Sequence, residues 1–200
     1  IGVSGPQVVE GWYGQLYPKP LARTREWIEI FRKIIAREEP VAFDGKHYQL
    51  PLDGGTGLGK PLKLMQHPLR DHIPVYLGAE GPKNVALSAE LFDGWIPMFL
   101  SPYRMGEQYA DAMAIKGQDF EIAAAVPVVI DDDVDKARSQ VKQNVGFYIG
   151  GMGAKTFNVH KDHVSRMGFG DAANEVQDLF MAGKRDQAFA AVPDQLVDEI

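Results

Sequence analysis

Apolar residues recur at helical spacing early in the chain. Trp27, Ile28, Phe31, Ile34 and Ile35 fall at i, i+1, i+4, i+7 and i+8, with Arg25, Glu29, Arg32 and Lys33 off that stripe. The pattern predicts a helix over 24–38, ended by Pro40. Val41 to Leu50 then reads as a hairpin around Asp44-Gly45. A Gly-rich loop covers 53–60, and Pro61 to Met65 reads as a short strand. Residues 41–71 look like an insertion between larger elements.

From Ile73 the pattern becomes regular. Compact apolar runs at 73–77, 94–99 and 120–130 predict strands. Amphipathic stretches at 82–92, 103–116 and 133–148 predict the helices between and after them. Strand and helix alternating over short connectors is the signature of parallel βαβ units. From Asn158 the chain reads as helical to its end, so 151–200 forms a helical extension. The expected organisation is one α/β domain over 1–200, with three βα units, an insertion and C-terminal helices.

Composition narrows the function. The net charge is −6, and no long basic run is present, which argues against nucleic acid as a partner. The chain has no cysteine, so disulfides, thiolate metal sites and a cysteine nucleophile are excluded. No apolar run approaches the roughly 20 residues that span a bilayer. The mild net charge suits cytoplasmic solubility. The chain opens on Ile1 without an initiator Met and closes just after a helix start, so a piece of a longer protein is expected.

Several constellations could carry chemistry. Gly54 to Lys60 has the G-x-x-x-x-G-K spacing of a phosphate-binding loop. Pro61 replaces the Ser or Thr that would hold magnesium, and a strand follows where a helix is required. A surface loop is expected instead. The turn Gly78-Ala79-Glu80-Gly81-Pro82 joins a strand's carboxyl end to a helix N-terminus. Free backbone N–H groups and the helix dipole favour an anion there, and Lys83 could add charge. Glu80 suits such a site only if its side chain points away. The glycines could equally serve a tight βα turn. Ser4-Gly5-Pro6-Gln7 has the same character, with Ser4 as a possible cap and Pro6 opening a short helix whose apolar face is Val8, Val9, Trp12 and Tyr13. Asp131, Asp132, Asp133 and Asp135 lack calcium-loop spacing and fit a helix N-terminus better. His160 and His163 could share a helix face, but no third ligand is evident and no metal is expected.

The ordered segments IGVSGPQVVEGWYG (1–14), FDGKHYQLP (43–51), GTGLGKPLKL (55–64), PVYLGAEGPKNV (74–85), FDGWIP (92–97) and FYIGGMG (147–153) resemble the luciferase-like superfamily of (β/α)8 TIM barrels. Within it they are most similar to oxidoreductases that use coenzyme F420, a deazaflavin. The resemblance implies that the chain starts at the carboxyl end of a fourth strand and carries the fifth to seventh, and that it works as a homodimer or higher homo-oligomer. It implies hydride transfer between the deazaflavin and an organic substrate. Ser4 and Gly5 would lie against the cofactor, and Gly78, Ala79, Glu80, Gly81 and Pro82 would hold its phosphate. Trp12, Met98 and Phe99 could form an apolar substrate pocket, although each could be ordinary core.

Two departures limit the substrate. Sugar-phosphate dehydrogenases of this family carry a catalytic Glu where Pro6 stands, and a phosphate-binding Lys where Pro97 to Ser101 has no basic group. No catalytic residue is evident in the chain. An FMN-dependent monooxygenase and a non-catalytic flavin- or ligand-binding relative are the alternatives.

Overall fold

A computed structural model describes all 200 residues. A short helix α1 (Pro6–Gly11) is followed by a long helix α2 (Pro20–Ala36). Pro20 sits in the first turn of α2, where a missing N–H costs nothing, so the helix starts earlier than the apolar stripe indicates. It ends where Arg37 turns left-handed (φ 55°) and donates its Nε to the Leu64 carbonyl at 2.8 Å. Pro40 lies beyond that end.

The hairpin forms as expected, β1 (Phe43–Asp44) antiparallel to β2 (Gln49–Leu50). The N–H groups of Lys46, His47 and Tyr48 in its loop all point at the Glu26 carboxylate of α2. The strand expected at 61–65 reduces to a single antiparallel bridge between Leu62 and Val41. The Gly54–Lys60 loop is exposed and leads into no helix.

Three strands, β3 (Tyr76–Gly78), β4 (Gly94–Ile96) and β5 (Glu121–Ile122), form a parallel sheet in the order β3-β4-β5. A parallel bridge from Gly2 to Gly78 adds the chain's first residues beside β3. Helix α3 (Pro82–Leu91) makes the first crossover and packs against α2. Gly94 is required by the sheet. A Cβ there would stand 2.3 Å from the Tyr76 ring and 2.8 Å from the Glu121 carbonyl oxygen.

The sheet is shorter than the apolar runs suggest. Pro97 lacks the N–H that would continue the β4 ladder. Beyond the Ala123 N–H bond to Trp95, the stretch to Ile130 finds no strand to pair with, and Val126, Val128 and Ile130 are exposed. The helix expected over 103–116 is two, α4 (Met105–Gln108) and α5 (Ala110–Ile115), broken at Tyr109. Tyr109 has left helical geometry (φ −126°, ψ 27°) and is 2% exposed.

Helix α6 (Val134–Gly151) is capped by the Asp133 carboxylate, which accepts from the N–H groups of Asp135 and Lys136. The chain then folds into α7 (Val159–Val164), a π-helical turn (Ser165–Phe169), α8 (Gly170–Met181), α9 (Arg185–Ala190) and α10 (Asp194–Glu199). Gly168 breaks the helical path inside the π turn, with φ 93°.

Two cores result. One lies between the sheet and its helices, around Ile28, Leu77, Val85, Trp95 and Tyr109. The other holds the C-terminal helices together around Val145, Ile149, Val164, Met167, Val176 and Leu196. Full burial of each large apolar side chain contributes about 1.5–3 kcal/mol. Phe99 belongs to the second core although it follows β4, so the loop after β4 joins the two.

Candidate functional site

The turn between β3 and α3 combines free donors with open space. Ala79 is used inside the sheet: its N–H reaches the Ile96 carbonyl at 3.4 Å and its carbonyl accepts Trp95 Nε1 at 2.8 Å. The N–H groups of Glu80, Gly81 and Lys83 donate to no backbone carbonyl. Pro82 has no N–H and takes the first helical position. The donors therefore come from 80, 81 and 83, not from Ala79. The first turn of α3 holds no acidic residue. A Cβ on Gly81 would meet nothing within 4 Å, so that side of the turn is open. Asn84 Oδ1, on the same first turn, is buried without a partner and, as an acceptor, adds nothing for an anion. The free donors, the open side at Gly81 and the positive end of the helix together fit an anion.

The Glu80 carboxylate reaches His160 of α7. Its Oε1 lies 2.7 Å from His160 Nδ1, with the two side chains 11% and 15% exposed. Its Oε2 is buried without a partner. The Glu80 carbonyl accepts twice, from the Tyr109 hydroxyl at 2.9 Å and from Arg166 Nη2 at 3.3 Å. The Tyr109 hydroxyl also lies 3.2 Å from His163 Nδ1, so its one proton serves two acceptors. His163 Nε2 donates to the Phe99 carbonyl at 3.1 Å. That bond puts the proton of a neutral imidazole on Nε2 and leaves Nδ1 as the acceptor. Burial lowers the His163 pKa, which keeps the ring neutral near pH 7. Burial also pushes the Tyr109 phenol up to about 12, so it stays a donor.

His160 and His163 thus face different partners and share no ligand position. Tyr109 and Arg166 escaped sequence reasoning. Tyr109 fits a helical pattern, and only the broken helix reveals it. Arg166 lies 86 residues from the carbonyl it meets.

The other candidates separate. The Gly2–Gly78 bridge, with Gly78 N–H on the Ile1 carbonyl at 2.7 Å, sets the Ser4-Gly5 turn beside the Gly78–Pro82 turn. Ser4 has φ 57° and makes no cap; Gly5 is the N-cap of α1, and the Ser4 carbonyl accepts the Tyr17 hydroxyl. Helix α1 fully buries none of its residues: Val8 and Val9 are half-buried, and Tyr13 beyond its end is exposed. Trp12 is 82% exposed. Phe99 is 6% exposed and packs edge-on to Tyr148 at 5.6 Å. Met98 is packed against the same C-terminal core. A cavity of about 510 Å³ lies elsewhere, between α1 and α2, and its walls include Tyr13, Tyr17, Arg23, Trp27 and Tyr48. None of Trp12, Met98 and Phe99 lines it.

Comparison with known proteins gives one consistent picture. The profile of a family described as luciferase-like monooxygenase matches residues 1–200. A Mycobacterium tuberculosis protein with the provisional name of a coenzyme F420-dependent oxidoreductase is 53% identical over 209 residues, covering 100% of this chain and 60% of that protein. A 5,10-methylenetetrahydromethanopterin reductase of Archaeoglobus fulgidus is 30% identical over 206 residues, covering 98% of this chain and 56% of the reductase. The chain therefore spans little more than half the length of these relatives.

Two solved structures share the fold. The coenzyme F420-dependent tetrahydromethanopterin reductase of Methanopyrus kandleri superposes with a TM-score of 0.63 at 19% identity, over 98% of this chain and 58% of that one. An F420-dependent secondary alcohol dehydrogenase, in complex with an F420-acetone adduct, gives 0.65 at 17% identity, over 99% and 53%. The parallel sheet and its helices are accordingly part of a (β/α)8 barrel.

Proposed function

Because this chain belongs to the luciferase-like monooxygenase family, we propose that it forms the phosphate-binding side of an oxidoreductase that uses coenzyme F420. The observation that carries this reading is the set of unpaired N–H groups at Glu80, Gly81 and Lys83, at the carboxyl end of a barrel strand. The 53% identity to the mycobacterial relative supports F420 over other flavins. When bound, the deazaflavin would supply the centre that gives or takes a hydride from a small organic substrate.

The chain's own residues bind and orient. The three N–H groups and the α3 dipole meet the cofactor phosphate, and the bare Cα of Gly81 lets it approach. His160 lies beside the Glu80 carboxylate. The Ser4-Gly5 turn, set beside Gly78, would border the cofactor on the next strand. Pro6, and the absence of a basic group from Pro97 to Ser101, disfavour a sugar phosphate as substrate. No helix is long and apolar enough to cross a membrane.

Equilibrium dialysis of the full-length protein against F420 and FMN tests the proposal. F420 should bind more tightly and be reduced by a substrate alcohol or reduced pterin. Preference for FMN, with oxygen consumed on reduction, would indicate a monooxygenase instead. Binding of F420 without turnover of any substrate would indicate a ligand-binding protein.

A further inference from the structure

We propose that Arg166 is a further cofactor-binding residue, which brings a cation from the C-terminal helices to the phosphate ester held at the β3–α3 turn. The inference rests on the proposed function and goes beyond it, because it assigns part of the phosphate site to a second structural body.

Four of the other eight arginines close on carboxylates: Arg25 on Glu90, Arg32 on Asp93, Arg104 on Glu199 and Arg138 on Asp198. Arg166, like Arg23, Arg37, Arg70 and Arg185, does not. It is exposed; Nη2 donates to the Glu80 carbonyl, and the guanidinium also lies against the Tyr109 hydroxyl. A guanidinium has five N–H donors, so most of this fork remains available. The carboxylate of Glu80 itself lies beside His160, with Oε1 2.7 Å from Nδ1. A bidentate-capable cation is thus held against the residue whose N–H begins the unpaired donor set.

The setting is built rather than incidental. Arg166 lies just before the kink at Gly168, where the chain passes from α7 to α8. Tyr109 shares the same carbonyl and is anchored in turn beside His163, which fixes Glu80 from beneath. Arg matches phosphate by paired N–H bonds as well as by charge.

The test uses paired ligands with and without the phosphate: F420 against its phosphate-free deazaflavin riboside, and FMN against riboflavin. Titrations of the full-length wild-type, Arg166→Gln and Arg166→Lys proteins are compared. Arg166→Gln should weaken the phosphate-bearing ligand at least tenfold and its phosphate-free partner less than twofold. Arg166→Lys should recover part of the loss, and the salt dependence of binding should be shallower in Arg166→Gln. Equal losses for both members of a pair would show that Arg166 merely supports the fold. Unchanged affinity in Arg166→Gln would also overturn the inference while leaving the proposed function standing. If the wild-type protein binds no member of either pair, the proposed function itself fails and the inference falls with it.

Discussion

At Gly81 the fold and the site make different demands. Its φ of −71° is open to any residue, and an added Cβ would touch nothing in the chain. A side chain there should cost the fold about 1 kcal/mol or less, mainly as a poorer helix cap. It would, however, occupy the space that the phosphate needs. Gly81→Val in the full-length protein should therefore melt close to wild type and bind F420 more than tenfold more weakly, as measured by thermal melts and titration. His163 gives a pH signature. Its unfolded pKa is near 6.5 and burial lowers the folded value. Below about 6.5 the unfolded chain takes up the proton first, so the stability contribution is complete above that pH and shrinks as pH falls toward the folded pKa. Melts between pH 7.5 and 5.5 should show stability declining on acidification, with a shallower decline in His163→Gln. The turn was legible in the sequence because Gly and Pro punctuate it. The engagement of Ala79 was not, because its partner, Ile96, belongs to a strand 17 residues away.

At the scale of elements, β3, β4 and β5 stay in register partly because Gly94 lets the Tyr76 ring lie across β4 and reach Glu121 with its hydroxyl. The Asp93 carboxylate fixes the entrance to β4, accepting from Val75 N–H at 2.7 Å, Arg32 at 3.1 Å and His72 at 2.8 Å. Burial pushes the Asp93 pKa up, but those donors outweigh it and hold the carboxyl below the usual range. Gly94→Ala should destabilise by about 1–3 kcal/mol through overpacking, read from denaturant melts. Adding Tyr76→Ala should recover only part of this, since the Glu121 carbonyl remains in the way. Element order and parallel pairing were legible because apolar runs alternate with amphipathic stretches. Strand lengths were not. Phe120 to Ile130 looks like one strand, yet pairing needs a neighbour as well as a pattern, and Pro127 has no N–H to offer. The break at Tyr109 was equally hidden, since the hydroxyl's partners, Glu80 and His163, are distant in sequence.

Across the whole molecule, the proposed site lies where two cores meet. The sheet supplies the turn, and the C-terminal helices supply His160, His163 and Arg166. Arg104 adds a bidentate link to Glu199 at 2.6 and 2.9 Å, joining the start of α4 to α10. The sheet itself is open beyond β5, where Val126, Val128 and Ile130 are exposed. Open strand edges template further pairing. Residues 1–200 expressed alone should therefore self-associate, visible as a concentration-dependent mass in light scattering. A sharply melting monomer would contradict that expectation. The most direct check of the central claim is a crystal structure of the full-length protein with F420 bound. The cofactor phosphate should lie within about 3 Å of the N–H groups of Glu80, Gly81 or Lys83. A phosphate seated elsewhere, with those three groups facing only water, would contradict the account.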